Sequence, residues 1–149
     1  MIIEYQRLDM YVKPPTRSNP SDAGLDVYAH LEEPVIILPG ESMLIKTGLK
    51  FGVPHGYMLQ VMNRSSVAAK RQLIVGAHVI DSGYDGEVFI NVHNIGERSQ
   101  TVNYGDKIAQ LVMIPVVPFR PLLVESDLYR QPITISNRGE GALGSTDER

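Results

Sequence analysis

Five short segments of the chain carry polar side chains in tight groups, and their residue types could bind a small charged ligand. The segments are SDAGLDVYA (21–29), NRSSVAAK (63–70), VGAHVIDSGYDGEV (75–88), GDKIAQLV (105–112) and RGEGALGST (138–146). They contain carboxylates, hydroxyls, amides and guanidinium groups, which are common partners of phosphates and hydroxyl groups. The residue types therefore indicate chemistry on an anionic ligand.

The last segment is rich in glycine. Gly139, Gly141 and Gly144 have the spacing of a dinucleotide-binding motif, but that motif needs a following helix, and the sequence continues for only five residues. Backbone N–H groups and the side chains of Arg138, Ser145 and Thr146 offer donors to an anion. Composition alone leaves two interpretations open, namely a loop that becomes ordered around a ligand and a mobile terminus without a role.

Two central segments each allow a structural and a functional interpretation. Arg64, Ser65 and Ser66 begin a short predicted helix, where free N–H groups and a guanidinium favour a phosphate site; a surface helix capped by serine is the alternative. Asp81 precedes a Ser-Gly turn, so it either forms the turn or points a carboxylate into a site. Tyr84 either packs in the core or forms the wall of a pocket.

Composition disfavours several classes of function. The 149 residues carry a net charge of −3, which argues against nucleic-acid binding. There is no cysteine for disulfides or zinc, and the four histidines lack metal-binding spacing. The N-terminal MIIEYQRLDMYV contains charges that a signal peptide lacks, and no run approaches the roughly 20 apolar residues of a membrane span. We therefore expect a soluble, cytoplasmic protein with neither nucleic acid nor membrane as a partner.

Short strands must position the polar segments. Gly and Pro recur about every ten residues, which is typical of an all-β fold with one core. Pro115 and Pro118 predict that the last strand leaves its sheet or lies at an edge. The only predicted helix is 65–70, and LPG, VPHG, NIGE and NYGD are predicted turns. The apolar runs predicted as strands are 34–40, 41–52, 56–62, 87–94 and 107–117.

Taken in order, the five segments resemble the five motifs of the trimeric dUTP pyrophosphatase (dUTPase) family. The resemblance runs from Arg17 to Thr146. It implies an all-β fold, a distorted jelly-roll β-barrel of the dUTPase-like or β-clip type. It also implies a homotrimer with shared active sites and an exchanged C-terminal arm. The activity implied is Mg²⁺-assisted hydrolysis of dUTP to dUMP and pyrophosphate, which limits uracil in DNA and supplies dUMP for dTTP synthesis.

The resemblance also implies roles around the phosphates. Asp81 would orient the attacking water, and Asp26 would hold Mg²⁺ through water while phosphates and water ligate the metal directly. The phosphate contacts would come from Arg64, Ser65, Ser66 and Gln110. The arm would bring Arg138, Ser145 and Thr146 to the γ-phosphate, with Gly144 also touching the substrate.

The base and sugar would be recognised by the third motif. A hairpin from Val75 to Ile80, including His78 and Val79, would read the uracil edge with backbone groups. Tyr84 would stack under the deoxyribose and exclude a ribose. Cytosine would leave buried groups unpaired, because its 4-position has the opposite hydrogen-bonding character.

The chain departs from the family pattern at several positions. Leu143 stands where many members have an aromatic residue over the uracil, Asp85 replaces an arginine, and His78 replaces a glycine. The connection before the fifth motif is several residues longer. We therefore expect a barrel core at 1–125, an extended connection at 126–137 and a glycine-rich arm at 138–149, all in one domain.

Two other functions remain open at this stage. One is a dCTP deaminase-like enzyme on a related scaffold, although the Asp81-Ser-Gly-Tyr84 context and the glycine-rich arm favour the pyrophosphatase. The other is a nucleotide-binding regulator that contacts a protein partner, to which only the longer connection points.

Overall fold

A computed structural model describes residues 1–129 and 139–144. Residue contacts divide the chain into two units, Met1–Pro118 and Phe119–Arg149. The first unit is built from short strands and one helix. Their bounds are β1 Glu4–Arg7, β2 Leu25–Tyr28, β3 Val35–Ile37, β4 Ser42–Lys46, β5 Leu49–Gly52, β6 Tyr57–Met62, α1 Ser65–Arg71, β7 Leu73–Val75, β8 Val79–Ile80, β9 Phe89–Asn94, β10 Gln100–Val102 and β11 Lys107–Pro115.

The strands pair into four small antiparallel sheets. The largest has the order β2-β11-β6-β8, a second has the order β4-β9-β7, and two further pairs are β1-β5 and β10-β3. Most paired strands are distant in sequence, as in a jelly roll and unlike a simple meander. The all-β prediction is therefore confirmed, with the sheets arranged as a distorted jelly-roll β-barrel.

One apolar core is shared by these sheets. Along β9, Ile90, Val92 and Asn94 are buried while the intervening side chains are less covered, which is the period of two expected for a strand with one buried face. Val27 on β2 and Ile45 on β4 are also fully buried in the same cluster. Because the aliphatic side chains take the inner faces, the polar side chains of the motifs are left on the outer faces.

The run 41–52 was predicted as one strand, and this prediction was wrong. It forms β4 and β5, which are separated by Thr47 and Gly48. Gly48 has a φ of +70°, a conformation that an extended strand does not use. The buried Thr47 hydroxyl donates to the Val88 carbonyl at 2.6 Å and accepts from the Leu49 N–H at 3.2 Å, so the break is stabilised from within.

The start of the helix and the end of the last strand can each be compared with the prediction. The N-cap of α1 is Arg64, in an extended conformation and without a side-chain cap, so the expectation that a serine caps the helix was wrong. Ser65 is already the first helical residue. The strand β11 ends at Pro115 as predicted, and the next N–H, that of Val116, bonds to Gly56 outside the sheet.

In the second unit, the described residues are 119–129 and 139–144, and they form neither strand nor helix. Phe119, Leu122 and Leu123 are highly exposed. Among the described residues of the whole chain, no helix has the length and apolar character needed to cross a membrane.

Asn94 is one of two buried polar side chains in the described core, and its amide joins three loops or strands. Its Nδ2 donates to the carbonyls of Ile37 at 2.9 Å and Arg98 at 2.7 Å, and its Oδ1 accepts from the Gly96 N–H at 3.0 Å. We expect Asn94→Leu to lower the free energy of unfolding by about 3 kcal/mol, because three backbone groups at the edge of the core lose the partner that the buried amide supplies.

Urea denaturation at fixed protein concentration measures this loss. Asn103→Leu, at an exposed turn position, is the matched control and should change stability by less than about 0.5 kcal/mol. Equal stability of the two variants would show that the Asn94 hydrogen bonds contribute nothing net.

Candidate active site

Strand register brings three of the polar segments to one place. Gln110 on β11 lies opposite Asp26 on β2 and, on its other side, opposite Met62 at the end of β6. The chain leaves β6 at Met62 and enters α1 directly through Asn63 and Arg64. The result is a cleft of about 250 Å³ lined by Ser18, Asp22, Ala23, Gly24, Asp26, Arg64, Ser65, Ser66 and Gln110.

Asp26 is the most enclosed charge of this cleft. Its Oδ1 accepts a hydrogen bond from Arg64 Nε at 2.9 Å, and its Oδ2 lies 3.6 Å from Lys107 Nζ. Its backbone is fixed as well, since its N–H donates to Thr16 and its carbonyl accepts from the Thr16 N–H. The carboxylate is therefore held in place by both its backbone and two cations.

Gln110 and Asn63 connect the cleft to the next segment of chain. Gln110 Nε2 donates to the Asn63 carbonyl at 2.9 Å, and Asn63 Oδ1 accepts from the Val75 N–H at 2.9 Å. A Cβ at Gly24 would lie 2.6 Å from Gln110 Oε1 and 3.1 Å from the Leu111 carbonyl oxygen, so any larger residue would displace the Gln110 amide. The glycine of the AGLD sequence is thus explained by packing against Gln110.

A second group of predicted site residues lies on the loop after β8. Asp81 and Tyr84 are exposed, and the Tyr84 N–H donates to the Asp81 carbonyl at 3.2 Å. The Tyr84 hydroxyl donates to the Glu87 carbonyl at 2.7 Å. A Cβ at Gly86 would come within 2.6 Å of Tyr84 Cζ, so the ring lies directly against this glycine. The orientation of Tyr84 is therefore fixed within its own loop.

Asp85, which departs from the family pattern, is paired with a lysine. Its Oδ1 lies 2.8 Å from Lys50 Nζ on β5. Hydrogen bonding and the positive charge of Lys50 hold the pKa of Asp85 below its ordinary value. Asp85 is 93% exposed, so this pair adds little to stability, but it ties the loop to β5.

The segment predicted to form a uracil-reading hairpin has a different arrangement. Val75 ends β7, which pairs with β9, whereas Val79 begins β8, which pairs with β6. The two strands do not pair with each other, so the hairpin prediction was wrong and the segment crosses between two sheets. His78 lies in the crossing, with its Nδ1 at 3.2 Å from the Val61 carbonyl, where only a protonated Nδ1 can donate.

The predicted residues therefore fall into separate groups. Asp26, Arg64, Ser65, Ser66 and Gln110 share one cleft. In the described part of the first unit, no hydrogen bond or ion pair joins this cleft to the loop of Asp81 and Tyr84. Val75 is buried, and His78 and Val79 are exposed beside that loop.

The predicted residues of the arm are only partly described. Arg138, Ser145 and Thr146 lie outside the described residues. Leu143 and Gly144 are described, with φ values of 45° and 88°, and Leu143 is fully exposed.

Sequence reasoning missed Lys107, Asn63 and Gly24 as contributors to the cleft. Each lies inside or next to one of the five polar segments, but its contact with the cleft depends on strand register and on distances that the sequence does not show. Within residues 1–129 and 139–144, no three or more His, Asp or Glu side chains form a group that could hold a metal ion.

Comparison with known proteins finds relatives that match nearly the whole chain. A family model described as dUTPase matches residues 10–146. The deoxyuridine 5'-triphosphate nucleotidohydrolase of Chlamydia caviae is 38% identical over 129 residues, which cover 85% of this chain and 86% of the relative. The enzyme of the same name from Anaplasma marginale is 36% identical and covers 89% of this chain and 87% of its own length.

Solved structures agree with the fold as well. The dUTPase of Staphylococcus bacteriophage 80alpha with dUpNHpp superposes with a TM-score of 0.84 at 27% identity, covering 97% of each chain. A dUTPase from phage phi11 of S. aureus, whose structure describes a structural Mg(II) ion, gives a TM-score of 0.78 at 27% identity and covers 86% of this chain and 99% of its own. With a family model across nearly its whole length and relatives well above 30% identity, the chain belongs to the dUTPase family.

Proposed function

We propose that the protein is a dUTP diphosphatase that hydrolyses dUTP to dUMP and pyrophosphate. The observation that carries this proposal is the cleft in which Asp26, the guanidinium and two hydroxyls of Arg64, Ser65 and Ser66, and the amide of Gln110 converge from three distant segments. The relatives reported above are named for the same reaction, and a structural neighbour binds a dUTP analogue. The activity removes dUTP from the deoxynucleotide pool, and we place it in the cytoplasm.

The cleft supplies donors for the α- and β-phosphates. Arg64 uses its Nε for Asp26, which leaves the terminal nitrogens of the guanidinium to donate to phosphate oxygens. Ser65 and Ser66 add hydroxyl donors beside it. Gln110 is oriented by its bond to Asn63 and presents a neutral amide. Positioning and neutralisation of charge are the main needs of phosphoryl chemistry, and these side chains supply both.

The residues of the cleft fit a magnesium ion that is held mainly by the substrate. Asp26 is an enclosed carboxylate whose two oxygens already face cations, so it suits contact with metal-bound water better than direct ligation. Mg²⁺ bound to the triphosphate would neutralise phosphate charge. Asp26 would fix the position of its water shell from the protein side.

Asp81 is the proposed catalytic residue. It is an exposed carboxylate at the start of a loop whose shape is fixed by the hydrogen bonds of Tyr84. A carboxylate in this place accepts a hydrogen bond from water and directs the water oxygen toward the α-phosphorus. Ser145, Thr146 and Arg138 are proposed to approach the γ-phosphate from the arm.

Selectivity for deoxyuridine is assigned to the segment from Val75 to Tyr84. Backbone groups of the exposed residues His78 and Val79 would bond the uracil edge, and a base with the opposite donors and acceptors would leave these groups unpaired. The Tyr84 ring, fixed against Gly86, would contact the deoxyribose and leave no space for a 2′-hydroxyl. Leu143 would cover the base in place of the usual aromatic ring.

We further propose that a homotrimer completes each site. In the described part of a single chain, no hydrogen bond or ion pair joins the cleft to the Asp81 loop, and a neighbouring copy would bring the two together around one nucleotide. Each predicted region then has its own role: the barrel core at 1–125 forms the site, and the connection at 126–137 leads to the arm at 138–149. The arm closes over the site of another copy.

Pyrophosphate release from a panel of nucleotides tests the activity. With Mg²⁺, the purified protein should release pyrophosphate from dUTP and scarcely from dCTP, dTTP or UTP. Ammonia released from dCTP would instead support a deaminase. Binding of dUpNHpp with no turnover of dUTP would support a regulator that only binds nucleotide.

Replacing the proposed catalytic carboxylate should separate chemistry from binding. Asp81→Asn keeps the shape of the side chain but removes its charge, so we expect kcat to fall by about 10³-fold while the affinity for dUpNHpp changes little. Asp85→Asn in the same loop is the matched control and should retain most activity, because Asp85 points to Lys50. Equal loss in both variants would contradict the assignment of Asp81.

The contact between Gly86 and Tyr84 predicts a loss of sugar discrimination. In Gly86→Ala the new methyl group overlaps the Tyr84 ring, so the ring must move and its bond to Glu87 is lost. We expect kcat/KM for dUTP to fall about tenfold and the preference for dUTP over UTP to narrow.

Gly52→Ala provides the control for that substitution. A Cβ at Gly52 has its nearest neighbour at 3.8 Å, which is an ordinary contact. Steady-state kinetics of both variants on dUTP and UTP measure the effect, and an unchanged preference in Gly86→Ala would exclude Tyr84 as the sugar-reading residue.

A further inference from the structure

A β-bulge in β11 directs Lys107 toward the phosphate cleft. Lys107 pairs with Tyr28, but Ala109 pairs with the next residue, Val27, so one extra residue stands in β11 between them. Ile108 and Ala109 are consecutive and both buried, which breaks the alternation of the strand. If β11 kept all its residues but had no bulge, regular alternation would place Lys107 on the same face as Ala109 and Leu111, which is the core face.

The bulge therefore places a cation on the same face as Asp26 and Gln110. Lys107 Nζ lies 3.6 Å from Asp26 Oδ2, on the side opposite to Arg64, whose Nε contacts Oδ1. At 3.6 Å this is a contact between charges and not a short hydrogen bond. Lys107 is about one-third exposed, and its ammonium also lies 5.9 Å from the centre of the Tyr28 ring.

The charges of the cleft explain what this cation contributes. The lining residues include two carboxylates, Asp22 and Asp26, and one guanidinium, Arg64. The three lining charges sum to −1, and Lys107 brings the local sum to zero, so it removes a net negative charge that would oppose the binding of a phosphate. Lys107 is not among the lining residues, but it is close enough to offset Asp26.

We propose that Lys107 is a positioning residue of the phosphate cleft, a fixed counter-ion of Asp26 that leaves the charge of Arg64 available to substrate phosphates. This inference rests on the proposed function, and in it Lys107 acts through Asp26 and Arg64. It touches neither the nucleotide nor the reacting atoms. Its effect should therefore appear in the binding of phosphate groups and not in the binding of the nucleoside.

Lys13 provides a matched control within the same region. Its Nζ lies 5.5 Å from the centre of the same Tyr28 ring, so it makes the ring contact that Lys107 makes. Among the described residues, Lys13 Nζ lies over the rings of Tyr28 and Tyr104 and forms no ion pair with Asp26. Lys13→Met thus removes an ammonium from Tyr28 and leaves the Asp26 pair intact.

The experiment compares Lys107→Met, Lys107→Arg and Lys13→Met with the wild-type protein. Calorimetry gives the dissociation constant of dUpNHpp in buffer containing a metal chelator, and competition gives that of deoxyuridine. Lys107→Met should weaken dUpNHpp binding about fivefold to tenfold and deoxyuridine binding by less than about twofold. Lys107→Arg and Lys13→Met should bind both ligands within about twofold of the wild type.

Several results would overturn the inference. Unchanged binding of dUpNHpp by Lys107→Met would show that the lysine does not act on the phosphate cleft. Equal weakening for deoxyuridine, or weakening of dUpNHpp by Lys107→Arg as severe as by Lys107→Met, would show a general structural role. A wild-type protein that binds dUpNHpp without hydrolysing dUTP would contradict the proposed function. The comparison of the lysine variants would still test the role of Lys107, because it measures binding alone.

Discussion

The central position of β11 between β2 and β6 is the constraint on which the phosphate cleft depends. Antiparallel pairing on both sides fixes Gln110 against Asp26 and against Met62 in one register. A shift by one residue would move Gln110 into the core and bring an apolar side chain to the cleft, so the buried pattern of Ala109 and Leu111 enforces the functional register. The register of β11 that packs the core is thus also the register that places the polar groups in the cleft.

The cleft is then refined by contacts that link its walls to the rest of the barrel. Asn63 accepts from the Val75 N–H and, through its carbonyl, orients Gln110, so the end of β6 is coupled both to β7 and to β11. The loop of Asp81 and Tyr84 is supported separately, through Glu87, whose carboxylate accepts from the Gly48 N–H at 3.1 Å. Among the described residues, no hydrogen bond or ion pair joins this loop to the cleft, which agrees with the proposal that neighbouring copies share a site.

Much of this could be predicted from the sequence, and the reasons for the failures are specific. The strands at 56–62, 87–94 and 107–117 were predicted nearly at their bounds because long apolar runs end at glycine or proline there. The break at Thr47 was missed because it depends on a buried hydroxyl whose partner, Val88, is 41 residues away. Lys107 was missed because a bulge is defined by two strands together, and one strand's sequence does not reveal which residue is extra.

Leu143 carries a backbone cost and can bury less apolar area than the expected aromatic residue. Its φ of 45° lies in the left-handed region, which costs a residue with a branched side chain about 1 kcal/mol or more relative to glycine, and its side chain is fully exposed. Such a residue adds neither favourable backbone energy nor buried apolar area to the second unit. If it covers a base, as proposed, the contact must offset both the backbone cost and the smaller surface of leucine compared with an aromatic ring. Under the proposed role of the arm, its affinity for nucleotide would therefore depend mainly on the proposed phosphate contacts of Arg138, Ser145 and Thr146.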